Sequence, residues 1–102
     1  MKKAYLLLFW FVLAAAAGMQ GHWVAEKGPL EVWMKPLADG SKAVGLFNRG
    51  VGTMPVTAYF KDVGVGETAT VRDLWARKDL GTFQGSFTAQ VPGFDVLLVR
   101  IK

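Results

Sequence analysis

From Leu30 onward the chain is cut into short apolar stretches by turn signals recurring every eight to twelve residues. That spacing leaves little room for helices and predicts an antiparallel β-sandwich of seven to eight short strands, connected in Greek-key fashion. The first strand is read as Leu30–Lys35, with Pro36 near its end, where a missing N–H does least harm. Asp39-Gly40 predicts a tight type I′ hairpin turn into a second strand, Lys42–Asn48. Glycine loops at Gly50-Val51-Gly52 and Gly64-Val65-Gly66 bracket a third strand, Pro55–Phe60. A fourth strand runs over Thr68–Trp75, and Thr82-Phe83 can form a short strand of its own. Ser86–Val91 and Phe94–Ile101 complete the set, separated by Pro92-Gly93.

The alternation sorts these strands into two kinds. Phe87, Ala89 and Val91 oppose Ser86, Thr88 and Gln90, which describes a strand with one wet face. Three others are apolar on both sides. Leu30, Val32 and Met34 oppose Trp33; Val44 and Leu46 oppose Ala43, Gly45 and Phe47; Leu97, Val99 and Ile101 oppose Val96 and Leu98. A strand apolar on both faces needs a cover on both faces. A second sheet supplies one of them. The other is either a partner surface or the chain's own long Lys and Arg stems, such as that of Lys35, together with the segment before Leu30.

Residues 1–17 are set apart from this pattern. Met1, Lys2 and Lys3 precede an apolar run, Tyr5–Leu13, and then four alanines, Ala14–Ala17. This is the layout of a helical secretion signal cleaved after Ala17. The apolar stretch from Ala4 to Ala17 has 14 residues, short of the roughly 20 that span a bilayer. The expected organisation is a signal peptide over 1–17, a lead-in over 18–29 that is not itself a strand, and a sandwich domain over 30–102. The mature chain is then expected in the periplasm or outside the cell, touching a membrane only during export.

Removing that segment lowers the net charge from +4 to +2, because two lysines leave with it. No basic cluster remains to suggest nucleic acid. The chain has no cysteine, which excludes disulfides, thiolate zinc sites and Cys nucleophiles. His22 is the one histidine, and nothing in the spacing brings it to Ser41 or Ser86, so neither a triad nor a metal site is expected. No cofactor is implied.

Glycosidic cleavage commonly needs a pair of carboxylates. Asp73 and Asp79 flank Trp75, but Asp73 stands beside Arg72 and Arg77, and Asp79 precedes Leu80-Gly81 where a turn uses Asp for its own backbone. Both therefore read as structural acids. Sugar binding is the alternative use of this composition: Trp23, Trp33, Trp75, Tyr59 and Phe83 offer ring faces, and Asn48, Arg77 and Asp79 offer polar contacts. Trp33, Trp75, Arg77 and Asp79 are the leading carbohydrate candidates. In a small sandwich the same aromatics are first of all core material.

Two stretches, LEVWMKPLADGSKAVGLFNRG at Leu30–Gly50 and VRDLWARKDLG at Val71–Gly81, closely resemble the C-terminal β-domain of family 27 glycoside hydrolases, the α-galactosidases or melibiases. The Gln-Gly-x-x-Val of Gln20–Val24 and the final VLLVRI extend the likeness to about four-fifths of the chain. Family members often enter the last strand through Pro-Pro-His-Gly-Val. Here Pro92, Gly93, Phe94, Asp95 and Val96 stand there, so no role of that histidine carries over. The resemblance implies a non-catalytic domain: the family's catalytic aspartates lie in a (β/α)8 barrel that has no counterpart in this sequence. It also implies that Trp33, Phe47, Val96 and Leu98 belong to a surface packed on such a barrel. Expected partners are accordingly a glycoside hydrolase barrel, a second copy of the chain, or a glycan. The resulting expectation is an accessory carbohydrate- or protein-binding module, or else a subunit or fragment of an α-galactosidase whose barrel is supplied separately.

Overall fold

The computed structural model describes residues 21–102, so the reading of a signal at 1–17 lies outside the described residues. Eight strands follow in order: β1 (His22–Lys27), β2 (Leu30–Pro36), β3 (Lys42–Asn48), β4 (Met54–Tyr59), β5 (Thr68–Asp73), β6 (Lys78–Gln84), β7 (Ser86–Val91) and β8 (Asp95–Ile101). One helical turn, α1 (Phe60–Val63), follows β4. All pairings are antiparallel. The strands form a six-stranded sheet in the order β1-β2-β3-β8-β5-β6 and a two-stranded sheet, β4-β7. The chain leaves the large sheet after β3 and again after β6. Each time it returns, and β8 comes to lie between β3 and β5. The predicted all-β sandwich is the fold found.

Register makes the two faces of the large sheet distinct. Val32, Met34, Val44, Leu46, Val71, Val99 and Ile101 point toward the small sheet and meet Val56, Ala58, Phe87 and Val91. Phe60 and Val63 of α1 close one end of this core. The sequence carries no helical period there, and α1 is unexpected. It forms because Phe60 and Val63, three residues apart, are both drawn inside. Gly64, at φ +78°, then stops it by donating its N–H to the Phe60 carbonyl at 3.0 Å.

Other details depart from the sequence reading. The lead-in is a strand over His22–Lys27, because Trp23 and Ala25 find partners in Trp33 and Val32 across a bulge. The Asp39-Gly40 turn is not type I′: of its two residues only Gly40 has positive φ, +89°. Gly40 N–H bonds the Leu37 carbonyl at 3.1 Å and Leu37 N–H bonds Ser41 O at 2.9 Å. This is a longer hairpin loop built on a type I turn with a left-handed residue after it. The buried Ser41 hydroxyl and its backbone N–H both donate to Asp39 Oδ1, which makes the extra residue tolerable. Strand β5 ends at Asp73, two residues before the predicted end.

At the opposite end of the sandwich, Asn48 joins the two sheets. Its amide donates to the carbonyls of Gly52 (2.7 Å) and Val91 (2.8 Å), and its Oδ1 accepts the Gly50 N–H (2.9 Å). Gly93 in the β7–β8 turn lies so close to the Val51 carbonyl that a Cβ there would sit 2.2 Å from it. The next residue, Phe94, takes φ +58° and leaves its ring 69% exposed.

Candidate functional site

The outer face of the large sheet, turned away from β4 and β7, carries a second apolar cluster: Trp33, Ala43, Phe47, Val96 and Leu98. Its geometry follows from register. Trp33 of β2 stands opposite Gly45 of β3, which stands opposite Leu98 of β8, so one large ring is flanked by a residue without a side chain. Phe47 lies opposite Val96 in the same way. All four expected interface residues, Trp33, Phe47, Val96 and Leu98, are therefore brought together, and all are buried, from 8% exposed at Val96 to 1% at Leu98.

Part of the cover is local. Trp23 of β1 meets Phe47 edge to face with centroids 5.2 Å apart. The Arg49 guanidinium lies 5.6 Å from the Trp23 ring centre and 5.5 Å from that of Phe47, while its Nε pairs with the Glu31 carboxylate. Lys35, on the same face, is also buried. Of the two covers the sequence leaves open, the lead-in and the long cationic stems contribute.

The β5–β6 connection supplies the far side of the cluster. Asp73 Oδ1 accepts the N–H groups of Trp75 (2.9 Å) and Ala76 (3.0 Å), and Leu74 N–H donates to the Leu98 carbonyl (3.1 Å). These bonds fold Leu74 and Trp75 down onto the cluster. The four carbohydrate candidates thus divide. Trp33 and Trp75 belong to one apolar layer. Arg77 and Asp79 are held at its rim by Arg72, whose guanidinium donates to Asp79 (2.7 Å) and to the Arg77 carbonyl (3.0 Å). Arg77 is also one of two non-glycine residues with positive φ among those described, at +53°.

Two sequence readings are corrected here. Asp73, not Asp79, is the acid that satisfies the turn's own backbone, and Asp79, not Asp73, is the acid paired with arginine. Arg72, which the sequence sets beside Asp73, is instead the clamp that holds Asp79 and the Arg77 carbonyl. The remaining candidates are elsewhere. Asn48 is buried and bonded on three sides, Phe83 packs on Phe87 at 5.1 Å inside the sandwich, and Tyr59 is exposed on the edge of β4. Among the described residues, no group of three His, Cys, Asp or Glu side chains is placed to hold a metal. Asp39 is the acid whose carboxyl is held below its ordinary range, by the hydroxyl and backbone bonds of Ser41.

The chain is thus a two-layer antiparallel sandwich whose large sheet is apolar on both faces, with ion pairs Glu31–Arg49 and Arg72–Asp79 beside the outer cluster. Comparison with known proteins agrees. Residues 27–101 match the family described as the alpha galactosidase C-terminal beta sandwich domain, and the chain belongs to that family. Among curated proteins, it is 45% identical over 80 residues to an alpha-galactosidase of Coffea arabica, covering 76% of this chain and 21% of that one. An alpha-galactosidase of Cyamopsis tetragonoloba is 38% identical over 76 residues, which is 72% of this chain and 18% of that one. Among solved structures, alpha-galactosidase I of Mortierella vinacea superposes with a TM-score of 0.74 at 29% identity, over 79% of this chain and 22% of that one. A family 27 β-L-arabinopyranosidase of Geobacillus stearothermophilus gives a TM-score of 0.77 at 28% identity, over 81% and 19%. The chain spans about a fifth of the length of the relatives it matches.

Proposed function

We propose that this chain is a non-catalytic accessory module that docks a protein surface, in the first place a glycoside hydrolase barrel, through the outer face of its large sheet. The supporting observation is the second apolar layer itself. The strands β2, β3 and β8 are apolar on both sides, and the sandwich uses one side. On the other, Trp33, Phe47, Val96 and Leu98 form a buried layer, and its partly exposed cover, Trp23, Leu74 and Trp75 beside Glu31, Arg49, Arg72 and Asp79, is the surface offered to a partner. Aromatic centres and polar rims are the composition of protein interfaces. In this reading hydrolysis of terminal α-galactosides belongs to the barrel, and the acids of this chain have structural duties: Asp39 to Ser41, Asp73 to a turn, Asp79 to Arg72, Glu31 to Arg49.

The reading includes export through residues 1–17, with the mature N-terminus at Gly18. Sequencing the N-terminus of protein recovered from the periplasm or medium tests that part.

The docking part is tested by mixing the purified chain with a family 27 barrel deprived of its own β-domain. Co-elution as a single complex is expected, lost in Val96→Lys at unchanged circular dichroism, with no turnover of an aryl α-galactoside by the chain alone. Turnover by the pure chain, or separate elution, would overturn it. Saturable galactose binding at Trp75, Arg77 and Asp79 would instead make the rim a glycan site.

A further inference from the structure

A cleft of about 460 Å³ runs beside β4, on the other side of the molecule's layering from the outer cluster, with Ala25, Leu30, Val32, Met54 and Val56 in its walls. It exists because the sheets are unequal. β4 is bonded to β7 on one side only, and no strand of the small sheet covers the inner face of β1. Val24, Ala25 and Leu30, which point inward there, are only half-buried.

The free edge of β4 has a defined set of main-chain groups. Phe60 N–H donates to the Gly85 carbonyl at 2.9 Å, one pair beyond Tyr59 and Ser86. Bonded pairs alternate along an antiparallel ladder, so Met54, Val56 and Ala58 exchange bonds with β7, while Pro55, Thr57 and Tyr59 turn theirs outward. Pro55 has no N–H, and the Tyr59 carbonyl starts α1 as its N-cap. What remains are the N–H groups of Thr57 and Tyr59 and the carbonyls of Pro55 and Thr57, repeating at the two-residue pitch of about 6.7 Å.

We propose that this cleft binds an extended peptide segment that adds to the free edge of β4 as a third strand and places alternate apolar side chains over Ala25 and Leu30. Donors and acceptors repeating at strand pitch match another backbone, and a sugar ring offers no such repeat. A second copy of this chain does not satisfy the cleft. If it paired through its own β4, its inward side chains Val56 and Ala58 would already be buried in its own core, leaving the volume unfilled. The fitting segment is about five or six residues long, as β4 is, free of proline, and apolar at every second position. Exposed Met54 and Tyr59 stand at the two ends of the groove.

The test is a ¹H–¹⁵N titration of the full chain with a capped octapeptide of alternating valine and threonine, flanked by lysine. Saturable shifts confined to β4 and the β1–β2 hairpin are expected, with amide exchange at Thr57 and Tyr59 slowed at least about tenfold. N-methylation of alternate peptide residues should abolish both effects. Ala25→Leu, which fills open cleft rather than packed core, should weaken binding at least about tenfold while leaving the spectrum of β3 and β8 unchanged. The proposal is overturned by no saturable shift at millimolar peptide, by shifts centred on Trp33 and Trp75, or by binding that survives N-methylation or Ala25→Leu. It is equally overturned if galactose shifts the same amides, or if Thr57 and Tyr59 are protected without peptide in a chain that sediments as a dimer.

Discussion

The two faces of the large sheet are built from different materials. The inner face is almost wholly aliphatic, with Val32, Val44, Leu46, Val71, Val99 and Ile101 interlocking with the small sheet. The outer face sets the rings of Trp33 and Phe47 among Ala43, Val96 and Leu98, and all three tryptophans among the described residues, Trp23, Trp33 and Trp75, lie on it or against it. β-Branched side chains have few rotamers and fill a fixed gap between two sheets well. Large flat rings with charged neighbours suit a layer that meets a separate surface. On the proposed reading, one face makes the fold and the other docks a partner.

The sharpest way to break that division is a pair of truncations. Leu46→Ala empties a fully buried inner position and should destabilise the chain by about 2–5 kcal/mol in urea unfolding. Val96→Ala on the outer face removes two methyl groups and should cost about 1–2 kcal/mol. If Val96→Ala proves as damaging as Leu46→Ala, the outer layer is fold-making and the distinction fails.

Asn48 sharpens the comparison at the seam between the sheets. Asn48→Ala leaves the Gly52 and Val91 carbonyls and the Gly50 N–H without their partner in a buried place. Buried polar groups stripped of a partner cost about 1–3 kcal/mol, so a loss of roughly 2 kcal/mol is expected. Asn48→Asp should be at least as harmful, since it removes both donors and brings a charge inside. A loss under about 0.5 kcal/mol in denaturant titration would mean that solvent reaches the seam.

The sequence made the two-faced strands legible because a period of two assigns each residue to a face once a strand is granted. Leu30 to Met34, Lys42 to Asn48 and Val96 to Ile101 all fall as their alternation requires. The resemblance to the α-galactosidase β-domain rests on two of these segments within Leu30–Gly50, on the final strand and, outside them, on Val71–Gly81. What escaped was set by long-range partners. β1 looks polar and irregular, and is a strand only because β2 offers it an edge across a bulge. α1 depends on burial of Phe60 and Val63 in the core between the sheets. The exchange of duties between Asp73 and Asp79 depends on where β5 ends, and end positions are the weakest part of any pattern reading. At the outer face the residues were legible but their cover was not, because alternation says which side chains leave the core and nothing about what they then meet.

A smaller effect, and of opposite sign, is expected where the chain passes from the small sheet back to the large one. Phe94 holds φ +58°, a conformation that costs a residue with a Cβ about 1 kcal/mol, and its ring gains little in return because it is mostly exposed. Phe94→Gly should therefore stabilise the domain, by no more than about 0.5 kcal/mol because glycine loosens the unfolded chain. The family pattern places its glycine one position later in this turn. A destabilised Phe94→Gly in thermal unfolding would show that the ring makes a contact worth more than the strain.

The smallest effect lies in the loop joining the two double-faced strands β2 and β3. Ser41 donates its hydroxyl and its backbone N–H to Asp39, and these bonds hold the carboxyl below its ordinary value of 3.8. A carboxylate with a depressed folded pKa contributes stability that is fully present above its unfolded value and disappears as pH falls through the folded one. Stability should thus be flat from neutral pH down to about 4 with respect to this group, then decline. Asp39→Ala should lower the melting temperature slightly at pH 7, and the difference from the unmodified chain should shrink as the pH falls through the depressed folded pKa. The neighbouring Arg100 and Lys102 add to the depression only weakly, so raising the salt concentration should leave most of the difference in place. A difference that vanished in salt at pH 7 would assign the effect to those cations instead of to Ser41. It would also remove the reason why this hairpin tolerates a loop longer than its Asp-Gly pair would otherwise select.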